Sequence, residues 1–101
     1  MGIRRLDHVR LAMPAGGEDR AVAFYEGLLG IPQVPKPPHL AERGGCWFER
    51  GDLKVHLGVD PDFRPATKAH PAFVADDLRA LAGAVAPPGH RTHPHQPLAR
   101  Y

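Results

Sequence analysis

The sequence predicts an α+β fold, and three observations predict it. A strand-like alternation opens the chain, an amphipathic helix follows at once, and a tight β-hairpin occupies the middle. With 101 residues, the chain is expected to form a single domain, 1–101, because cores usually belong to units of roughly 100–150 residues.

Each element has a local cause. From Arg5 to Met13, Leu6, His8, Arg10 and Ala12 share one face of a strand, and Asp7, Val9, Leu11 and Met13 share the other. Pro14-Ala15-Gly16-Gly17 breaks the chain. Glu18 to Leu29 then reads as a helix, with Glu18 and Asp19 at its positive N-terminus. Ala21, Val22, Phe24, Tyr25, Leu28 and Leu29 form its apolar stripe, so Phe24 and Tyr25 are expected in the core. Gly30 and Pro32 stop it. The proline-rich 32–38 stretch suits only a short edge strand. Gly45–Arg50 and Leu53–Val59 are strands joined by a Gly51-Asp52 turn. Leu53, Val55, Leu57 and Val59 make an apolar face, and Lys54, His56 and Gly58 face a second compartment. Lys68–Val74 is again strand-like, Asp76 is the expected N-cap, and Leu78, Leu81, Ala82 and Val85 give a short helical stripe. Strand then helix therefore occurs twice, about sixty residues apart, with His8 and His70 near the two strand starts.

Composition excludes several classes. The 11 glycines keep no period of three, and a net charge of +2 with 43% apolar residues is not that of a disordered chain. No run of about 18 apolar residues could span a bilayer, and the N-terminus has neither a secretory signal pattern nor a myristoylation pattern, so no membrane association is expected. Cys46 is the only cysteine. It can form neither an internal disulfide nor a cysteine zinc cluster, and a small buried thiol in a cytoplasmic protein is the expectation. The pI of 9.0 suggests nucleic acid at first sight, but no block of five or six basic residues exists and no nucleic-acid partner is expected.

Seven histidines are the odd statistic. His8, His56 and His70 lie in three strand-like segments, and imidazoles converging from separate strands are a common way to hold a divalent ion. Three histidines that are exposed or hydrogen-bonded within a sheet are the plainer alternative. The proline-rich tract His90-Arg91-Thr92-His93-Pro94-His95 reads as extended, solvated chain rather than a metal site.

Leu6-Asp7-His8-Val9 followed by Phe24-Tyr25-Glu26-Gly27-Leu28-Leu29-Gly30 resembles the opening of the vicinal oxygen chelate superfamily, the glyoxalase, bleomycin-resistance and extradiol-dioxygenase group. Gly44–Phe48 and Leu53–Val59 resemble its third and fourth strands. His70-Pro71-Ala72-Phe73-Val74-Ala75-Asp76-Asp77-Leu78 resembles the opening of its second module. The resemblance covers residues 5–86 in order.

What it implies is a pair of βαβββ modules forming a curled mixed sheet around a cup: residues 5–59 as the first module and 69–101 as a second one, truncated at its C-terminal strands. His8, His56 and His70 match metal-ligand positions, for Zn, Ni, Fe, Mn or Co. The family's fourth ligand, usually a Glu, has no counterpart in this sequence, so the general base is open, with Glu49 and Glu42 nearest in the chain. Arg10, on the His8 face, is a candidate contact to an anionic substrate. Trp47 and Phe48 point to opposite sides of one strand, and either is a candidate ligand contact. His39 matches a loop that often borders the cup. The implied activity is metal-dependent lyase, isomerase or dioxygenase chemistry on a small oxygenated molecule, in a homodimer. The alternatives are a non-enzymatic small-molecule or antibiotic-binding protein of the same fold, or an inactive truncated member.

Overall fold

In a computed structural model, residues 1–85 are described; the 90–95 tract and the remainder of the proposed second module lie outside them. The chain divides into two compact units, Met1–Arg64 and Pro65–Tyr101.

The first unit is a mixed, four-stranded, curled open sheet. In chain order it runs β1 (Val9–Met13), α1 (Glu18–Val22), a π-helical segment (Ala23–Leu28), β2 (Gln33–Val34), α2 (Pro38–Ala41), β3 (Cys46–Arg50) and β4 (Leu53–Val59). Strands lie in the order β1-β4-β3-β2. β1 runs parallel to β4, whereas β3 is antiparallel to both β4 and β2. This is one βαβββ unit with a short helix inserted before its third strand.

The hairpin forms where the turn chemistry places it. Gly51 has φ 58° and Asp52 keeps a negative φ, as a two-residue turn of type II′ requires. That turn pairs Arg50 with Leu53 and hence Phe48 with Val55 and Trp47 with His56. One face of the sheet is the core: Met13, Cys46, Phe48, Val55 and Leu57 are buried there together with Ala21 and Ile31. Tyr25 stacks on Phe48, ring centroids 5.2 Å apart, and its burial pushes its phenol pKa up.

Five expectations are corrected. The first strand starts at Val9, so His8 stands one residue before it. The helix begins at Glu18 but widens to π geometry from Ala23, where the Leu29 N–H reaches back to the Phe24 carbonyl. Gly27, a poor helix former, lies in the widened stretch. Residues 38–41 form α2 rather than a loop, with Pro38 at a helix-start position where its missing N–H costs nothing. In the second unit, Lys68–Val74 is irregular apart from a bridge at Phe73, because Pro71 removes a ladder donor from the middle of the run. The helix α3 (Leu78–Val85) does form, but its cap is Asp77, whose carboxylate accepts the Ala80 N–H at 2.9 Å, not Asp76. Among the described residues, no helix is long and apolar enough to cross a membrane.

Candidate functional site

The face of the sheet opposite the core carries polar and aromatic side chains. Alternation puts Arg10 and Ala12 of β1, Lys54, His56 and Gly58 of β4, and Trp47 and Glu49 of β3 on it. The parallel register sets Arg10 beside His56, and the antiparallel register sets Trp47 on the other side.

His56 sits at the centre. Its ring lies against Trp47 at 3.9 Å between centroids and 2° between planes, and against His8 at 4.4 Å and 22°. This three-ring stack explains why His56 is only 7% exposed although it is off the core face. Its Nε2 is 2.7 Å from Glu49 Oε2. An ionised carboxylate only accepts, so Nε2 carries the proton and the Nδ1 lone pair is left for another partner. Glu49 reaches His56 on the diagonal of the hairpin, being paired directly with Lys54.

His8 repeats this arrangement. Its Nδ1 donates to Asp7 Oδ2 at 2.9 Å, which leaves Nε2 free to accept. The same hydrogen bond, followed by the Lys54 ammonium 3.7 Å away, holds the Asp7 carboxyl below the usual range. His70, in the second unit, is exposed and donates Nδ1–H to the Lys68 carbonyl at 2.7 Å, which again leaves Nε2 as the acceptor.

These residues fit a divalent ion in donor chemistry. Metal-bound histidines commonly give their other N–H to a carboxylate or carbonyl, and each of the three already does so. The ring orientation is that of a stack rather than a chelate. A ligating lone pair lies in the plane of its ring, so near-parallel rings do not converge until one turns; His8, with a side chain 42% exposed, has room to do so. Among the described residues, no group of three His, Cys, Asp or Glu side chains is assembled for a metal.

The other expected site residues separate clearly. Trp47 and Arg10 are on the open face and line a cavity of about 100 Å³ together with Lys36, Leu40 and Arg43. Phe48 is not a ligand contact: it is fully buried on the core face under Tyr25. His39 is exposed on α2 and does not line the cavity that its neighbour Leu40 helps to form. Glu42 is exposed at the end of α2, so of the two candidate bases only Glu49 is beside a histidine of the site. Two residues escaped the sequence reading as site components, Lys36 and Arg43. They stand in a proline-rich connection and after a short helix, where no periodicity assigns a face.

No protein-family model matches the sequence, and no curated protein does. Among solved structures, the chain is similar to a protein assigned to the glyoxalase family from Bacillus anthracis. The two are 41% identical with a TM-score of 0.79, over 85% of this chain and 70% of that one. The sheet order, the βαβββ connectivity and this similarity agree: the chain belongs to the glyoxalase family.

Proposed function

We propose that the chain is a metal-dependent, glyoxalase-like enzyme of the vicinal oxygen chelate superfamily, acting on a small oxygenated organic substrate by lyase, isomerase or dioxygenase chemistry. The observation that carries this reading is the placement of His8 and His56 together on the open face, each with one ring N–H committed to a carboxylate. His8 and His56 would hold the ion. When bound, a divalent ion supplies Lewis-acid polarisation of adjacent substrate oxygens.

The remaining chemistry belongs to the chain itself. Asp7 and Glu49 hold the imidazole tautomers, so that a lone pair is presented rather than a proton. Glu49 is the proposed general base: its carboxylate is 28% exposed beside His56 and has a second oxygen free of that hydrogen bond. Trp47 covers one face of His56 and excludes water from it.

A second reading is favoured by one observation, the face-to-face stacking of Trp47, His56 and His8. Stacked rings make a flat surface for a planar ligand, and a non-enzymatic binding protein of this family would need no ion. Elemental analysis of the purified protein decides between them. The enzyme reading expects about one equivalent of a divalent metal, lost in His56→Ala and retained in His39→Ala. Metal-free protein that remains metal-free after incubation with Zn²⁺, Ni²⁺, Fe²⁺, Mn²⁺ and Co²⁺ supports the binding protein instead.

A further inference from the structure

The cavity beside Trp47 is strongly basic. Arg10 comes from β1, Lys36 from the connection after β2, and Arg43 from the connection after α2, yet all three line the same space, and no carboxylate does. Lys36 is partly balanced, because its ammonium donates to the Gly44 carbonyl and lies near the Glu18 carboxylate. The two guanidinium groups are not: among the described residues, neither the Arg10 nor the Arg43 side chain has an ion-pair or hydrogen-bond partner. Neighbouring arginines without anions repel each other, and a fold keeps them together at a cavity at a cost in stability.

The backbone also makes room for one of them. A Cβ on Gly58 would come within 2.4 Å of Arg10 Nη2 and 2.9 Å of Cζ. The absence of a side chain at position 58 therefore lets the Arg10 guanidinium lie across β4. The rest of the lining is uncharged, from Leu40, Gly44, Trp47, Leu57 and Val59.

We propose that this cavity binds the carboxylate or phosphoryl head group of a small organic anion. Arg10 and Arg43 donate to its oxygens, and Trp47 and Leu40 take its adjoining apolar part. About 100 Å³ accommodates a head group and not a whole drug-sized ligand, so the remainder of the molecule extends onto the open face, where Arg10 neighbours His56. Guanidinium is the side chain best matched to two oxygens of one anion. That this anion is the substrate rests on the function proposed above; that the cavity binds anions does not.

Trp47 is the only tryptophan and lies in the cavity wall, so its fluorescence, with calorimetry, reads occupancy directly. The full chain is titrated with phenylacetate, phenylacetamide and inorganic phosphate. Phenylacetate is expected to bind at least about tenfold more tightly than the neutral amide, and Arg43→Ala and Arg10→Ala are each expected to weaken it by about tenfold or more. Arg43 is exposed, so its removal leaves the core intact. Gly58→Ala, which keeps every charge but displaces the Arg10 head, is expected to weaken phenylacetate with no change in the fluorescence of the free protein. Equal binding of acid and amide, or full affinity in both arginine variants, overturns the proposal. Binding of phosphate without phenylacetate overturns the organic ligand and leaves an inorganic-anion site. His56→Ala separates the two readings: metal lost with phenylacetate affinity kept supports both, and absence of metal in the parent protein leaves the anion result standing alone.

Discussion

Adjacent residues Trp47 and Phe48 have opposite roles, and a single register decides which is which. Alternation in β3 shows that they face apart, but not which of them meets the core. The two-residue turn at 51–52 supplies the answer by pairing Phe48 with Val55 and Trp47 with His56. Phe48→Ala is therefore expected to lower the unfolding free energy by about 3–5 kcal/mol, the usual range for emptying a buried phenylalanine, read from denaturant titration. Cys46 is a small buried thiol, as expected, and burial, reinforced by the Glu18 charge, raises its pKa. It should resist a thiol reagent at neutral pH in the native protein and react at once in denaturant; rapid native labelling would contradict the buried position. Glu49 was legible only as one of two nearby carboxylates. Its hydrogen bond to His56 crosses the hairpin diagonally, a relation that appears only once strand register is known.

Among the elements, those with short-range causes were legible and those that depend on a distant partner were less so. The hairpin, the 18–22 helix and the edge strand β2 follow from Gly51, Glu18 and the prolines around position 35. The π widening, α2 and the irregular 68–74 run were not legible, because periodicity does not distinguish π from α geometry and a strand needs a neighbour as well as a pattern. The approach of the 44–45 segment to β4 also depends on distant atoms. Gly45 has φ 90°, and a Cβ there would sit 2.2 Å from the Leu57 carbonyl oxygen. Because the obstacle is backbone, Gly45→Ala should destabilise by at least about 2 kcal/mol, seen as a lower thermal midpoint. The Gly45 N–H donates to Glu18 Oε2 at 3.0 Å and holds that carboxyl below its ordinary pKa of 4.5. A depressed folded-state pKa gives stability that is present above about pH 4.5 and is lost as the pH falls through the folded value. Glu18→Gln should accordingly be less stable than the parent at pH 7, and the difference between them should shrink on acidification. A pH-independent difference in melting temperature would contradict this origin.

For the molecule as a whole, the sheet leaves β1 and β2 as edges among the described strands. Edges with unpaired backbone groups are commonly covered by another chain. We expect the 11.0 kDa chain to be a homodimer, with light scattering giving about twice that mass. A monomer at all accessible concentrations would remove this expectation without touching the βαβββ architecture. The family and the mixed curled sheet were legible from the chain's opening and its hairpin. The basic cavity was not, because Arg10 is distant in sequence from Lys36 and Arg43 and joins them only through the tertiary fold.

The parallel pairing of β1 with β4 has a kinetic consequence. The β3–β4 hairpin closes over a two-residue turn and can assemble early, whereas β1 must cross most of the unit to find its place and so docks late. Val9 opens the docking strand, and His8 precedes it by one residue. The His8–His56 stack is thus created by the last long-range closure of the sheet, and a probe of that stack would report completion of folding rather than collapse.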